Sequence, residues 1–235
     1  MAVLYIIGTP IGNLGDISFR AAEILKSAGL VACEDTRRTL KLLNHLGIKV
    51  KTLSCRSQNE EFAAKKIIAE LDRGITVAYA SDAGTPAVSD PGAVLVRLAA
   101  AAGHEVIPVP GPSALAALVS VSGVTDKTVI FEGFLSPKAG RRRSRLRELL
   151  AMKAAVVLYE SPFRILKLLE DIAEIDKERY ICIGREMTKV HEEYIRGAAN
   201  DVLACLSDRK EQIGEFSVLI AGNYSVNKTD DSADN

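Results

Sequence analysis

Ile75-Thr76-Val77-Ala78-Tyr79-Ala80-Ser81-Asp82-Ala83-Gly84-Thr85-Pro86-Ala87-Val88-Ser89-Asp90-Pro91-Gly92 is the stretch that decides the fold. An apolar run of strand character ends at Ala80 and opens into a turn of small residues, prolines and one early carboxylate, Asp82, after which a helical pattern begins. Small residues let a ligand approach the backbone, and prolines stiffen the path around it. Any one such string is most simply a surface turn. Two more follow apolar runs and precede helices in the same way, at Gly8-Thr9-Pro10-Ile11-Gly12-Asn13 and at Pro108-Val109-Pro110-Gly111-Pro112-Ser113-Ala114. Three on one chain point to a binding site for a small polar cofactor.

Working outward, the first half alternates strand and helix. Val3 to Ile7 precedes a helix from Ser18 to Ser27, with Ser18 as its N-cap and Gly29 beyond its end. Leu30 to Cys33, a helix-like Thr39 to Leu46, Ile48 to Leu53, a helix from Glu60 to Asp72 and the strand Ile75 to Ala80 continue the rhythm. This order predicts an α/β protein with a mainly parallel sheet, whose ligands bind at the C-terminal ends of the strands, where the three turns lie. After a helix from Ser113 to Ser122, the Gly123-Val124-Thr125-Asp126 turn marks a boundary. The expected organisation is an N-terminal α/β domain over 1–122, a C-terminal α/β domain over 123–225 and a polar, disordered tail over 226–235. In the second domain the strands are Val129 to Phe134, Ala154 to Tyr159, Tyr180 to Gly184 and Phe216 to Gly222, with hairpin-like segments expected. Helices are expected after Gly140 and from Pro162 to Ile172.

Composition bounds the rest. The chain has 235 residues, 48% hydrophobic, enough for a sizeable core, and its 30 basic and 30 acidic residues cancel, so no global charge announces a partner. Cys33, Cys55, Cys182 and Cys205 form no CxxC pair and have no matching histidine spacing, which predicts reduced thiols and no metal. The start MAVLYIIGTP lacks the layout of a secretory signal, so a cytoplasmic protein is expected. The uncharged stretch from Val106 to Thr125 is broken by Pro108, Pro110, Pro112, Gly111 and Gly123, which argues for a buried strand, a turn and a core helix over a membrane span. The Gly8, Gly12, Gly15 spacing is not that of a dinucleotide loop, and no phosphate-binding GxxxxGK[ST] string occurs.

Lys138, Arg141, Arg142, Arg143, Arg145 and Arg147 place six cations within ten residues, with no acid among them. They fall in the first turns of a helix, the end where its dipole disfavours cations by roughly 0.3 to 1 kcal/mol each. Contacts to RNA or another polyanion would account for that placement. Two further polar clusters follow strands. Glu34-Asp35 reads equally as a cleft wall or a helix start, and Arg185-Glu186-Met187-Thr188-Lys189 as a cleft or a structural ion-pair network, the structural reading slightly ahead for Arg185 with Glu186.

Together, Thr9-Pro10-Ile11-Gly12-Asn13-Leu14, Glu34-Asp35-Thr36-Arg37, Ser81 to Pro91, Pro110-Gly111-Pro112-Ser113-Ala114, Glu132-Gly133-Phe134-Leu135, Tyr159-Glu160-Ser161-Pro162 and Arg185-Glu186-Met187-Thr188-Lys189 resemble the bacterial ribosomal RNA small subunit methyltransferase I family, of the tetrapyrrole methylase superfamily. The likeness runs in order from residue 3 to about 222. It implies two α/β domains of the tetrapyrrole methylase type with the cofactor cleft between them. It also implies a homodimer and S-adenosylmethionine-dependent methylation of the ribose 2'-hydroxyl of a cytidine in the decoding region of 16S rRNA, free or in the small subunit. The superfamily's cofactor contacts fall on Pro10, Ile11, Asp82, Ala83, Gly84, Thr85, Val88, Ser113, Ala114 and Tyr159. Relatives often carry an aspartate where Thr85 stands, a histidine where Gln58 begins Gln58-Asn59-Glu60, and a histidine at Phe163.

Methyl transfer from a sulfonium is an in-line displacement that needs no metal and depends on alignment. A base at hydrogen-bond reach of the ribose hydroxyl adds about 100-fold to 10,000-fold. Glu186 and Lys189, past the strand at 180–184, are the residues expected to orient or deprotonate that hydroxyl, with Lys138, Arg141, Arg142, Arg143 and Arg145 on the RNA. Two rivals remain: a methyltransferase for a corrin precursor, which needs no basic helix, and a non-catalytic RNA-binding module, which needs no cofactor turns.

Overall fold

A computed structural model describes residues 2–223; the segment 226–235, expected to be a disordered tail, lies outside them. The chain divides into two compact units, Met1–Ser113 and Ala114–Asn235.

In the first unit β1 (Val3–Ile7), α1 (Phe19–Ser27), β2 (Leu30–Cys33), α2 (Thr36–His45), β3 (Thr52–Ser54), α3 (Glu60–Asp72), β4 (Val77–Ala80), α4 (Ala93–Ala101) and β5 (Glu105–Val109) follow one another. The strands form one sheet in the order β3-β2-β4-β1-β5, with every pairing parallel. Side chains alternate across a strand, so β4 sends Val77 and Tyr79 into one core with Leu95 and Ile67, and Ala78 and Ala80 into the other with Leu25 and Leu43. Burial on both faces explains why β2 and β4 read as continuous apolar runs without alternation.

The second unit contains α5 (Ala114–Ser122), β6 (Val129–Gly133), α6 (Ala139–Ala151), β7 (Ala155–Glu160), α7 (Ile165–Ile175), β8 (Tyr180–Arg185), β9 (Glu193–Ala198), α8 (Ala199–Ser207) and β10 (Phe216–Ile220). Its sheet runs β6-β7-β10-β8-β9; β6 and β7 are parallel and the other pairs antiparallel, with β8 and β9 forming the expected hairpin. Leu146, Leu168, Leu169, Ile172, Val202 and Leu206 pack over one face with Val156, Leu158, Ile181, Ile183, Phe216, Val218 and Ile220.

The division falls between Ser113 and Ala114 rather than after Ser122, because α5 packs against β8 and β10. Tyr180 ties the helix down further, its hydroxyl donating to the Ser122 carbonyl at 3.0 Å. The uncharged stretch from Val106 becomes strand, turn and helix, and among the described residues no helix is long and apolar enough to cross a membrane.

Candidate active site

The three turns of the first unit meet. After β1, Gly8 donates its N–H to the Val109 carbonyl at 3.0 Å, and Thr9 exchanges backbone hydrogen bonds with Gly84 at 2.9 and 3.0 Å. The Thr9 hydroxyl also lies 3.2 Å from the Ser81 carbonyl and 3.3 Å from that of Gly84. From the other side, Thr85 donates its hydroxyl to the Pro112 carbonyl at 3.3 Å. Gly8 and Gly111 are in backbone contact; a Cβ on Gly8 would lie 2.8 Å from the Gly111 Cα and N. Gly84 takes φ +78°, a left-handed conformation suited to glycine, with Ile11 beside it. Turns so tied, with Gly8, Ala83, Gly84 and Gly111 contributing almost no side chain, fit a ligand that meets the main chain at close range.

Two anchors hold the 81–92 turn from below. The Tyr79 hydroxyl donates to the Pro91 carbonyl at 3.0 Å, and its ring fills the space a Cβ on Gly92 would need. The N-cap position of α4 is Gly92, which has no capping side chain. Glu60 supplies the cap from α3: its Oε1 accepts from the N–H groups of Gly92 and Val94 at 2.9 Å and Leu95 at 3.2 Å. A carboxylate thus sits at the positive end of α4's dipole as well as in α3's own first turn. Ala87, inside the turn, holds φ +64°, unusual for a non-glycine residue.

Asp82 accepts the Asp35 N–H at 2.8 Å and lies 3.5 Å from Arg38. Asp35 caps α2, accepting from the Arg37 N–H, and the Arg37 guanidinium holds its carboxyl well below the usual range. Of the two readings of Glu34-Asp35, the helix start therefore holds for Asp35. Glu34 is raised by burial, then by Asp82 and Asp90, and burial likewise raises Asp90. A small cavity of about 140 Å³ beside this cluster is lined by Thr9, Pro10, Arg38, Lys41, Ser81 and Asp82, among others. Pro10, Ile11, Asp82, Thr85 and Ser113 are partly buried around the turns, Gly84 is buried, and Ala83 and Val88 are exposed.

In the second unit, Ala114 is the first residue of α5 and Tyr159 lies in β7, its ring edge-on to Phe131 and Phe134 at 5.0 and 5.9 Å between centroids. Past β8 the chain turns through Glu186 at φ +50° and Thr188 at φ +66°. The Thr188 hydroxyl is buried without a hydrogen-bond partner among the described residues. Lys189 Nζ donates to Glu186 at 2.8 Å and to Glu215 at 2.9 Å, while the Glu215 N–H donates to Glu186 at 2.9 Å. Burial works against the charge on Glu186, yet the hydrogen bonds from Lys189 and the Glu215 amide outweigh it and keep its carboxyl below the usual value. The same partners overcome burial at Lys189 and raise it. As a proton acceptor the pair is poor; as a fixed charge it is well held.

The basic helix α6 departs from its sequence reading. Arg142 is buried, its Nε 2.6 Å from Asp171 of α7, and Arg143 reaches the same carboxylate at 2.7 Å. Arg145 binds Glu132 through Nε and Nη2, each at 2.8 Å, and Glu148 at 2.9 Å. Their placement near the helix start is offset by acids from other elements, so no polyanion is needed to explain these three. Lys138, Arg141 and Arg147 are exposed, with no ion pair among the described residues. Cys33, Cys55 and Cys182 are buried free thiols, and no cluster of three His, Cys, Asp or Glu among the described residues could hold a metal ion.

Sequence reasoning missed Thr9, Glu60 and Asp90. Thr9 and Asp90 lie inside the turn strings themselves, whereas Glu60 acts on α4, an element distant in sequence.

A family model for tetrapyrrole (corrin/porphyrin) methylases matches residues 3–203. The ribosomal RNA small subunit methyltransferase I of Thermotoga maritima is 45% identical over 222 residues, 94% of this chain and 99% of that protein. The protein of the same name from Borrelia garinii subsp. bavariensis is 44% identical over 224 residues, 95% of this chain and all of that one. Among solved structures, a cobalt precorrin-4 methyltransferase superposes with a TM-score of 0.66 at 18% identity, covering 93% of this chain and 94% of that one. The uroporphyrin III C-methyltransferase of Thermus thermophilus gives 0.65 at 16%, covering 94% and 98%. These two show the fold.

Proposed function

The chain belongs to the tetrapyrrole methylase family and, within it, to the ribosomal RNA small subunit methyltransferase I group, and from that premise we propose that it methylates the ribose 2'-hydroxyl of a cytidine in the decoding region of 16S rRNA. The cofactor of the family is S-adenosylmethionine, which when bound supplies an electrophilic methyl group. The observation that carries the reading is the meeting of the three turns through Thr9, Gly84, Thr85 and the Gly8–Gly111 contact. They fit a compact nucleoside held by main-chain groups, and Pro10, Ile11, Asp82, Ala83, Gly84, Thr85, Val88, Ser113, Ala114 and Tyr159 are assigned to it. The carboxylates of Asp82, Glu34 and Asp90 favour a cationic ligand nearby.

Glu186 and Lys189 are assigned to the ribose. Their charges are fixed by each other and by Glu215, so their part is to orient the hydroxyl, and proton loss goes to solvent or to another group. The strained turn and the orphaned Thr188 hydroxyl support a functional role there. Lys138 and Arg141 remain the α6 candidates for RNA. A homodimer and a cytoplasmic setting, where ribosomal subunits are assembled, complete the proposal.

The test is methyl transfer from labelled S-adenosylmethionine to naked 16S rRNA, small subunits and corrin precursors side by side, with products mapped by mass spectrometry. A 2'-O-methylcytidine in the decoding region is expected. Label in a corrin alone, or none with RNA or subunits, overturns the reading.

A further inference from the structure

Between residues 36 and 59 the chain holds six of its 30 basic residues and none of its 30 acidic ones. The six, Arg37, Arg38, Lys41, Lys49, Lys51 and Arg56, are all exposed. The fold gathers them at one place. β3 is the edge strand of the first sheet, α2 packs beside it, and Lys49 and Lys51 lie on the segment that joins the two.

The contrast with α6 is one of partners. There Asp171, Glu174, Glu132 and Glu148 neutralise Arg142, Arg143 and Arg145. Here Arg37 is paired with Asp35 at 2.6 Å and Arg38 with Asp82 at a looser 3.5 Å, while the Arg56 guanidinium donates to the Glu34 carbonyl and has no ion pair among the described residues. Lys41, Lys49 and Lys51 have no ion pair among the described residues. In a chain whose total charge is zero, concentrating unpaired cations on one edge is a field suited to a polyanion. Lysines beside an edge strand also prevent sheets from joining edge to edge, which would account for Lys49 and Lys51 but not for Lys41 on the helix. Arg38 and Lys41 further line the small cavity shared with Thr9, Pro10 and Asp82, so the charged edge runs up to the turns assigned to the cofactor.

We propose that this α2–β3 edge is the main surface gripping the phosphate backbone of the RNA substrate; the inference rests on the RNA reading above. A transcript of the 16S decoding-region stem is titrated by fluorescence anisotropy over a potassium chloride series, using the whole chain and a Lys41→Gln/Lys49→Gln/Lys51→Gln variant. Affinity should fall about tenfold or more, and the slope of log affinity against log salt should flatten by roughly 2, at about 0.7 per lost single-strand contact. Thermal melting and S-adenosylmethionine titration check the fold. If the triple variant does not fold, the three single variants serve, each expected to flatten the slope by roughly 0.7.

Unchanged affinity in the variants, with Lys138→Gln/Arg141→Gln carrying the whole loss, overturns the proposal. Aggregation of the variant with undiminished RNA affinity in its monomeric fraction also overturns it and makes the lysines edge guards. An unsubstituted chain that binds no RNA and methylates only a corrin removes the RNA reading itself, a result separate from either.

Discussion

Gly8 and Gly111 stand backbone to backbone: a Cβ on Gly111 would lie 2.5 Å from the Gly8 carbonyl oxygen. Neither glycine adopts a left-handed φ, so space alone demands the residue type. The first and third turns are held together at this contact, and the second joins through Thr9 and Thr85.

Gly111→Ala must push those turns apart. S-adenosylmethionine affinity in calorimetry should fall by about tenfold or more, since one such displacement costs at least 1 to 2 kcal/mol. Gly140→Ala, in a helix with open space around its Cβ position, should bind the cofactor normally and be slightly more stable.

Removing the Glu60 carboxylate strips α4 of its cap and the 81–92 turn of an anchor. Glu60→Ala should lose about 1 to 2 kcal/mol in urea unfolding. Glu60→Gln should lose less, because it keeps an acceptor but not the charge facing the helix dipole. Equal losses would show that the charge facing the dipole, and not the retained acceptor or packing, carries the cap.

Arg142 is a structural residue by its burial against Asp171. Arg142→Ala should cost about 3 to 5 kcal/mol, whereas Arg142→Met combined with Asp171→Leu should come close to neutral. Chemical denaturation measures both. RNA affinity of the folded double variant should match the parent; a loss would return Arg142 to the RNA surface.

The lowered pKa of Glu186 gives a signed pH dependence. Its contribution to stability is fully present above the ordinary glutamate value of 4.5 and drains away as pH falls through the lower folded value. Lys189, raised, contributes below its ordinary value of 10.5 and loses that contribution as pH rises through the higher one. Denaturation midpoints of the parent and Glu186→Gln should differ at pH 6 to 8 and converge in acid. Single-turnover methylation by the parent should show no rise near pH 6 to 7 assignable to Glu186, since it is already ionised there.

Much of this was legible because its causes are local. Apolar spacing and flanking turn residues determine α3 at Glu60 to Asp72 and β1 and β2 at their observed limits. Hairpin-like strands are expected, but β9 and α8 escape the reading: Glu193-Tyr194-Ile195 is half-buried, Arg196 exposed, and α8 starts without a capping side chain. The acid partners of the α6 arginines were hidden for a different reason. Asp171 lies 28 and 29 positions from the arginines it binds, and only tertiary packing brings it there.

The strand order of the first unit has a consequence for synthesis. β1 is made before the other strands of its sheet but lies between β4 and β5, so one of its hydrogen-bonding rims stays bare until β4 ends at Ala80 and the other until β5 ends at Val109. A nascent chain released or stalled before Val109 therefore exposes at least one open rim of an apolar strand, the kind of surface that chaperones shield and that seeds aggregation.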